Sequence, residues 1–182
     1  MDGEIIRCPW ADRSPLERAY HDRVWGVPLH DEQGLFGMLC LEGMQAGLSW
    51  STILFKMGAL RTAFDDFDPL IVAEYDERKI AELMETEGII RNRLKIRTMV
   101  RNARAYLRLR EEHGTLDDFL WRYVDFTPLV NAWREAGEIP ARTPLSERIS
   151  RDLKRLGFGF VGPTIVYAFM QATGMVNDHL VS

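Results

Sequence analysis

Apolar residues recur at three- and four-residue steps along nearly the whole chain, and no stretch alternates convincingly with period two. That spacing predicts helices, because positions i, i+3 and i+4 share a helix face. Ser14-Pro15-Leu16-Glu17 offers a cap, a proline at the first helical position and an early acid, predicting a helix to about Asp22. Asp31 starts a second helix that carries Leu35, Phe36, Met38, Leu39 and Glu42. Gly43 and Gly47 weaken its end and permit close approach of a backbone or a ligand. Ser49 caps a third helix, and Asp76 a fourth with Ile80, Leu83 and Met84 inward. Glu87-Gly88-Ile89-Ile90 reads as a tight turn before a long helix from about Asn92. The predicted inner face of that helix is Ile96, Met99, Val100, Ala103 and Leu107, and its outer face is Arg97, Arg101, Arg104 and Arg108. Thr115 caps a short helix with Phe119, Leu120 and Tyr123, residues 125–143 read as an irregular connection, and helices resume at 144–156 and about 163–172.

The expectation is therefore an all-α, single-domain helical bundle spanning residues 1–182. There is neither an internal repeat nor a low-complexity tract. No apolar run approaches the roughly 18–20 residues of a membrane span. Met1-Asp2-Gly3-Glu4 lacks the basic-then-apolar order of a secretory leader, so the expected compartment is the cytoplasm. Cys40 lies in the apolar stretch Met38 to Leu41 and reads as buried and inert, so no disulfide with Cys8 is expected.

Charge changes the picture more than composition does. The net charge of −4 argues weakly against nucleic acid, but the two signs are segregated. Acids at Glu74, Asp76, Glu77, Glu82, Glu85 and Glu87 precede Arg91 to Arg110, a stretch with no acid at all. A basic surface is compatible with that order, as is an ordinary solvated helix face.

The candidate chemistry lies in the first fifty residues, where Trp10, Tyr20, Trp25 and Trp50 accompany an isolated carboxylate, Glu42. The aromatics are sufficient for most of a stacking pocket, and the carboxylate is a polar group able to read what stacks there. Taken singly, each tryptophan reads first as core and Glu42 as a solvated helix residue.

Several blocks together resemble one family. They are Arg7-Cys8-Pro9-Trp10, Ala19 to Asp22 with Trp25 to Pro28, Leu41 to Trp50, Glu87 to Arg91, and Gly157 to His179. In this order they are similar to the DNA-3-methyladenine glycosylase I family and cover nearly the whole chain. The resemblance implies a helix-hairpin-helix glycosylase architecture and base-excision repair. The implied reaction is hydrolysis of the N-glycosidic bond of 3-methyladenine in alkylated double-stranded DNA, by a monomer, with free 3-methyladenine as product.

The same resemblance assigns Glu42 and Tyr20 to the base as catalytic-site residues, Glu42 reading it first, and Trp10, Trp25 and Trp50 to the aromatic walls. It makes the turn at Gly88 and Ile90, with Arg91 and Arg93, the phosphate-binding hairpin, with Lys95 adding charge nearby and Arg104 and Arg108 left solvated. Leu48, between Gly47 and Ser49, becomes a candidate wedge for the gap left by a flipped base, with core packing as its plain alternative. Cys8, His21 and His179 resemble a structural zinc site whose fourth ligand, a Cys, would fall just past Ser182. Two residues depart from the family pattern: Val24 stands where an acid is usual and Glu17 where an aromatic is common. Both departures are expected at the pocket rim. A non-catalytic binder of damaged DNA and a helical enzyme acting on a free small molecule remain the alternatives.

Overall fold

The computed structural model describes residues 6–181, so Met1 to Glu4, on which the leader expectation rests, lie outside the described residues. The helices are α1 (Pro15–Arg23), α2 (Glu32–Met44), α3 (Trp50–Ala63), α4 (Pro69–Val72), α5 (Glu77–Glu85), α6 (Arg93–His113), α7 (Leu116–Trp121), α8 (Pro144–Arg155) and α9 (Pro163–Ala172). Their starts follow local chemistry. Side chains of Ser14, Asp31, Ser49, Asp76 and Thr115 accept from the amides of Glu17, Gly34, Thr52, Lys79 and Asp118, satisfying donors that a helix start leaves free. Among the described residues no helix is long and apolar enough to cross a membrane.

Helix α2 is the centre of the bundle. Every residue from Leu35 to Met44 is buried, with α6, α7 and α9 packed around it. Such a helix has no solvent side, so Glu42 is carried into the interior by its neighbours. Gly43 permits this packing, since a Cβ there would sit 3.2 Å from the Phe160 side chain.

The 125–143 connection is irregular as expected but carries a two-residue strand, β1 (Leu129–Val130). It pairs in parallel with β2 (Val176–Asn177), Leu129 opposite Val176. This pairing holds the connection against the C-terminal segment. A two-residue strand leaves no alternation for sequence reasoning to detect.

The long helix α6 differs from its predicted outline. Leu107 is only half-buried, and the inner face extends to Asn102, Ala105, Tyr106 and Leu109, because Gly157 and Gly159 pack on Ala105 and Asn102 and α2 packs on Tyr106. The basic residues are not simply solvated either. Lys95 is 6% exposed, and its Nζ donates to Met44 O at 2.8 Å and Ala46 O at 2.5 Å. Arg104 donates to Ala73 O at 3.0 Å and Tyr75 O at 3.1 Å, and Arg108 to Leu156 O at 3.2 Å. These carbonyls lie at or just past the ends of α2, α4 and α8. Helix C-termini carry unpaired carbonyls and partial negative charge, so three cations of α6 serve to cap three other helices.

Candidate functional site

Helices α1, α2, α3 and α9 converge on one cavity of about 350 Å³, a size typical of small-molecule sites. Trp10 reaches it from the turn Pro9–Arg13, Glu17 and Tyr20 from α1, Trp25 from just beyond α1, Glu42 from α2, and Trp50 and Ser51 from the first turn of α3. The aromatic rings contact one another in sequence. Trp10 meets Trp25 edge-on at 5.3 Å and Tyr20 at 6.2 Å, and Tyr20 meets Trp50 at 5.4 Å. Residues far apart in the chain thus form a continuous aromatic wall.

Polar groups on this wall lack partners. The sealed atoms Tyr20 Oη, Glu42 Oε2 and Trp50 Nε1 make no hydrogen bond, and among the described residues these are the buried side-chain polar atoms in that state. Burial without a partner costs about 1–3 kcal/mol per group, so three such groups on residues of one cavity call for an explanation beyond packing. Glu42 is 4% exposed, and desolvation pushes its carboxyl up to about 8. Burial therefore favours the protonated form of this carboxyl. Burial and the nearby Glu42 raise the Tyr20 phenol well above its ordinary range.

The two family departures separate here. Glu17 is buried on the cavity wall, accepting from Ser51 Oγ at 2.5 Å and Ser14 Oγ at 2.9 Å. It fastens the start of α1 to the start of α3, and so Tyr20 to Trp50. Val24 is 43% exposed and lies outside the cavity wall.

Behind Trp25, Cys8, His21 and His179 come together. His21 stacks on Trp25 with centroids 5.6 Å apart and meets His179 edge-on at 4.8 Å. His21 Nδ1 bonds Asp22 at 2.9 Å, His179 Nδ1 bonds Asn177 at 2.8 Å, and the Cys8 amide reaches His21 Nε2 at 3.3 Å. Burial raises the Cys8 thiol pKa. Among the described residues no three ligand side chains already surround one point ready for an ion. Cys40, as expected, is fully buried, and both thiols are free.

Leu48 is 39% exposed on the Gly47–Ser49 loop, between Gln45 and Trp50 of the cavity wall, with Gly47 at φ +76° turning the chain out of α2. It is therefore not core. Gly88, Arg91 and Arg93 are exposed and Ile90 half-buried on the turn between α5 and α6. Lys56 Nζ ties that turn to α3 through Gly88 O at 3.2 Å. Among the described residues Arg91 and Arg93 form no ion pair. Lys95 does not join them, being buried on the end of α2.

Residues 10–182 match the methyladenine glycosylase family over almost the whole chain. The chain belongs to that family. It is 48% identical over 175 residues to DNA-3-methyladenine glycosylase 1 of Escherichia coli (strain K12), covering 96% of this chain and 94% of that one. Its structure superposes on 3-methyladenine DNA glycosylase I from Staphylococcus aureus, solved to explain 3-methyladenine recognition. The TM-score is 0.94 at 38% identity, over 98% of this chain and 95% of that one. A tyrosine-to-phenylalanine variant of 3-methyladenine DNA glycosylase I in complex with 3-methyladenine matches with TM-score 0.92 at 37% identity, over 96% and 94%. Family membership accords with an all-α fold.

Sequence reasoning missed several groups on the cavity wall, among them Arg13, Gln45, Ser51, Ile139 and Gln171. Ser51 was within reach, two residues past the predicted cap Ser49. Ile139 and Gln171 arrive from distant segments, and no local pattern marks them.

Proposed function

We infer that this chain is a base-excision repair glycosylase that hydrolyses the N-glycosidic bond of 3-methyladenine in alkylated DNA. The observation that carries this reading is the set of three sealed, unpaired polar atoms on one aromatic cavity. A base must leave the duplex to enter, at a cost of a few kcal/mol. Stacking on Trp10, Tyr20, Trp25 and Trp50 offsets that by roughly 1–3 kcal/mol per base, and the positive charge of an N3-alkylated adenine adds cation–π attraction.

Glu42 reads the edge. Its carboxylate accepts from the exocyclic amine of adenine, whereas guanine turns a carbonyl oxygen toward that place. Entry of the cationic base favours the ionised form, so binding releases the proton that Glu42 holds in the empty cavity. Cleavage then follows from the charge of the base. The C1′–N9 electron pair moves onto the ring and neutralises it, water oxygen bonds C1′, and the water proton passes to solvent. Tyr20 and the indole N–H of Trp50 fix the ring while this happens.

The proposal takes the substrate as double-stranded and the enzyme as a monomer. Leu48 fills the gap left by the flipped base. The Gly88–Ile90 turn, with Arg91 and Arg93, is the hairpin that grips phosphate. A second grip is favoured between α8 and α9. There Gly162 leaves the α9 start without a side-chain cap, whereas Asn92 already caps α6 by accepting from Lys95 N.

Zinc belongs to the same proposal. Both imidazoles engage Nδ1 with a side-chain oxygen, the usual arrangement behind an Nε2 ligand, and zinc at His21 Nε2 would displace the bond it accepts from the Cys8 amide. Cys8, His21 and His179 would hold the ion, whose chemistry is a structural clamp between the two ends of the chain.

Incubation with methylated duplex DNA and chromatography of released bases tests the function. Free 3-methyladenine is expected, with 7-methylguanine left in place. Salt-dependent DNA binding without base release would favour a non-catalytic binder, and salt-independent behaviour would favour a small-molecule enzyme.

A further inference from the structure

The carboxylate of Asp178 is fully buried and accepts four side-chain hydrogen bonds. Oδ1 takes Asn131 Nδ2 at 2.7 Å and the Trp133 indole N–H at 2.8 Å. Oδ2 takes the Tyr167 hydroxyl at 2.6 Å and Gln171 Nε2 at 2.8 Å. Asn131 and Trp133 anchor the connection that brings Ile139 to the cavity, and Gln171 is itself on the cavity wall.

A carboxylate only accepts, so Gln171 turns its NH2 group toward Asp178 and its carbonyl oxygen away. Among the described residues no group donates to that oxygen, and it is not one of the sealed unpaired atoms. Gln171 lines the cavity, so an accessible acceptor on it is available to a ligand there. Helices α2 and α9 pack against each other, so Glu42 and Gln171 enter the cavity from adjacent helices.

We propose that Gln171 is a second acceptor for the flipped base, taking the exocyclic N–H that Glu42 leaves, and that Asp178 is the positioning residue that fixes its amide. The proposal rests on the glycosylase reading and deepens it. An exocyclic amine carries two N–H groups, and in a dry cavity each needs an acceptor. With Glu42 and Gln171 both present, an adenine-type edge is satisfied twice, and a carbonyl edge meets two oxygens.

The test titrates free 3-methyladenine into the parent, Gln171→Leu and Tyr167→Phe, followed by tryptophan fluorescence, with base release from methylated DNA measured alongside. Gln171→Leu weakens 3-methyladenine binding about ten-fold, and lowers Tm as Asp178 loses one of its donors. Tyr167→Phe removes a donor from the same Asp178 oxygen but keeps Gln171, and it holds affinity to within about two-fold. Two measurements on the parent alone do not depend on how a variant folds. The Gln171 side-chain amide protons exchange slowly, and their resonances shift when 3-methyladenine binds. Equal affinity of parent and Gln171→Leu, or no shift on binding, overturns the role of Gln171. Rapid amide exchange overturns that of Asp178. A parent that binds the base normally while Gln171→Leu does too defeats this proposal alone, whereas a parent that neither binds nor releases 3-methyladenine defeats the glycosylase reading as well.

Discussion

Glu42 and Tyr20 meet at one buried cavity with their polar ends unpaired, close enough that the charge of Glu42 opposes ionisation of the Tyr20 phenol. A protein selected only for stability would pair or remove such groups. Their retention ties the chemistry of this site to a measurable weakness of the fold.

That weakness depends on pH. The Glu42 carboxyl is raised to about 8 in the folded chain from 4.5. Between those values the folded state holds the proton that the unfolded state has lost, so the stability due to Glu42 falls as pH rises. At about 1.4 kcal/mol per unit, the whole effect is on the order of 3–5 kcal/mol. Glu42→Gln should match the parent in stability near pH 4 and exceed it increasingly up to about pH 8. Denaturant unfolding at several pH values measures this, and a gap independent of pH would contradict it.

The same group sets a pH profile for activity. A cationic base requires the ionised carboxylate, which the empty cavity disfavours below about 8. The kcat/KM for excision should therefore rise with pH toward about 8 and level off above it, because this ratio reports the free enzyme. The residual activity of Glu42→Gln should lack that rise.

Basic residues of α6 divide by what they touch. Lys95→Met should lower stability by about 1–3 kcal/mol, since it leaves the carbonyls of Met44 and Ala46 without a donor, and should leave the salt dependence of DNA binding intact. Arg91→Ala and Arg93→Ala should do the reverse, sparing Tm and each reducing the salt slope by about 1. Thermal melts and salt-dependent DNA titrations separate the two classes.

How much of this was legible varies with the range of the interaction. Capping is local, so Ser14, Asp31, Ser49, Asp76 and Thr115 mark helix starts from the sequence alone. The short α4 carries the same signal in Asp68-Pro69, where Asp68 accepts from Leu70 N, and went unnoticed for its brevity. The aromatics and Glu42 stand out by type, and the family pattern supplied their common purpose. The burial of Lys95 was hidden, because it depends on α6 crossing the end of α2, 51 residues away in the chain. The Asp178 network was hidden for the same reason, joining Asn131, Trp133, Tyr167 and Gln171 through tertiary structure alone.

Zinc makes a separate prediction. Elemental analysis of purified protein should find one zinc per chain, and a chelator should lower Tm while leaving the cavity's affinity for 3-methyladenine little changed, since the proposed role of the ion is structural. Loss of metal in Cys8→Ser or His179→Ala would identify the ligands, and a metal-free preparation of unaltered Tm would remove zinc from the account.

The most direct measurement compares parent and Glu42→Gln in releasing 3-methyladenine from methylated duplex DNA, with the fold of each checked by thermal melting. The variant should be at least as stable as the parent at neutral pH and slower by about 100-fold in kcat/KM. Equal rates of release would contradict the reading of Glu42 as the group that recognises the damaged base.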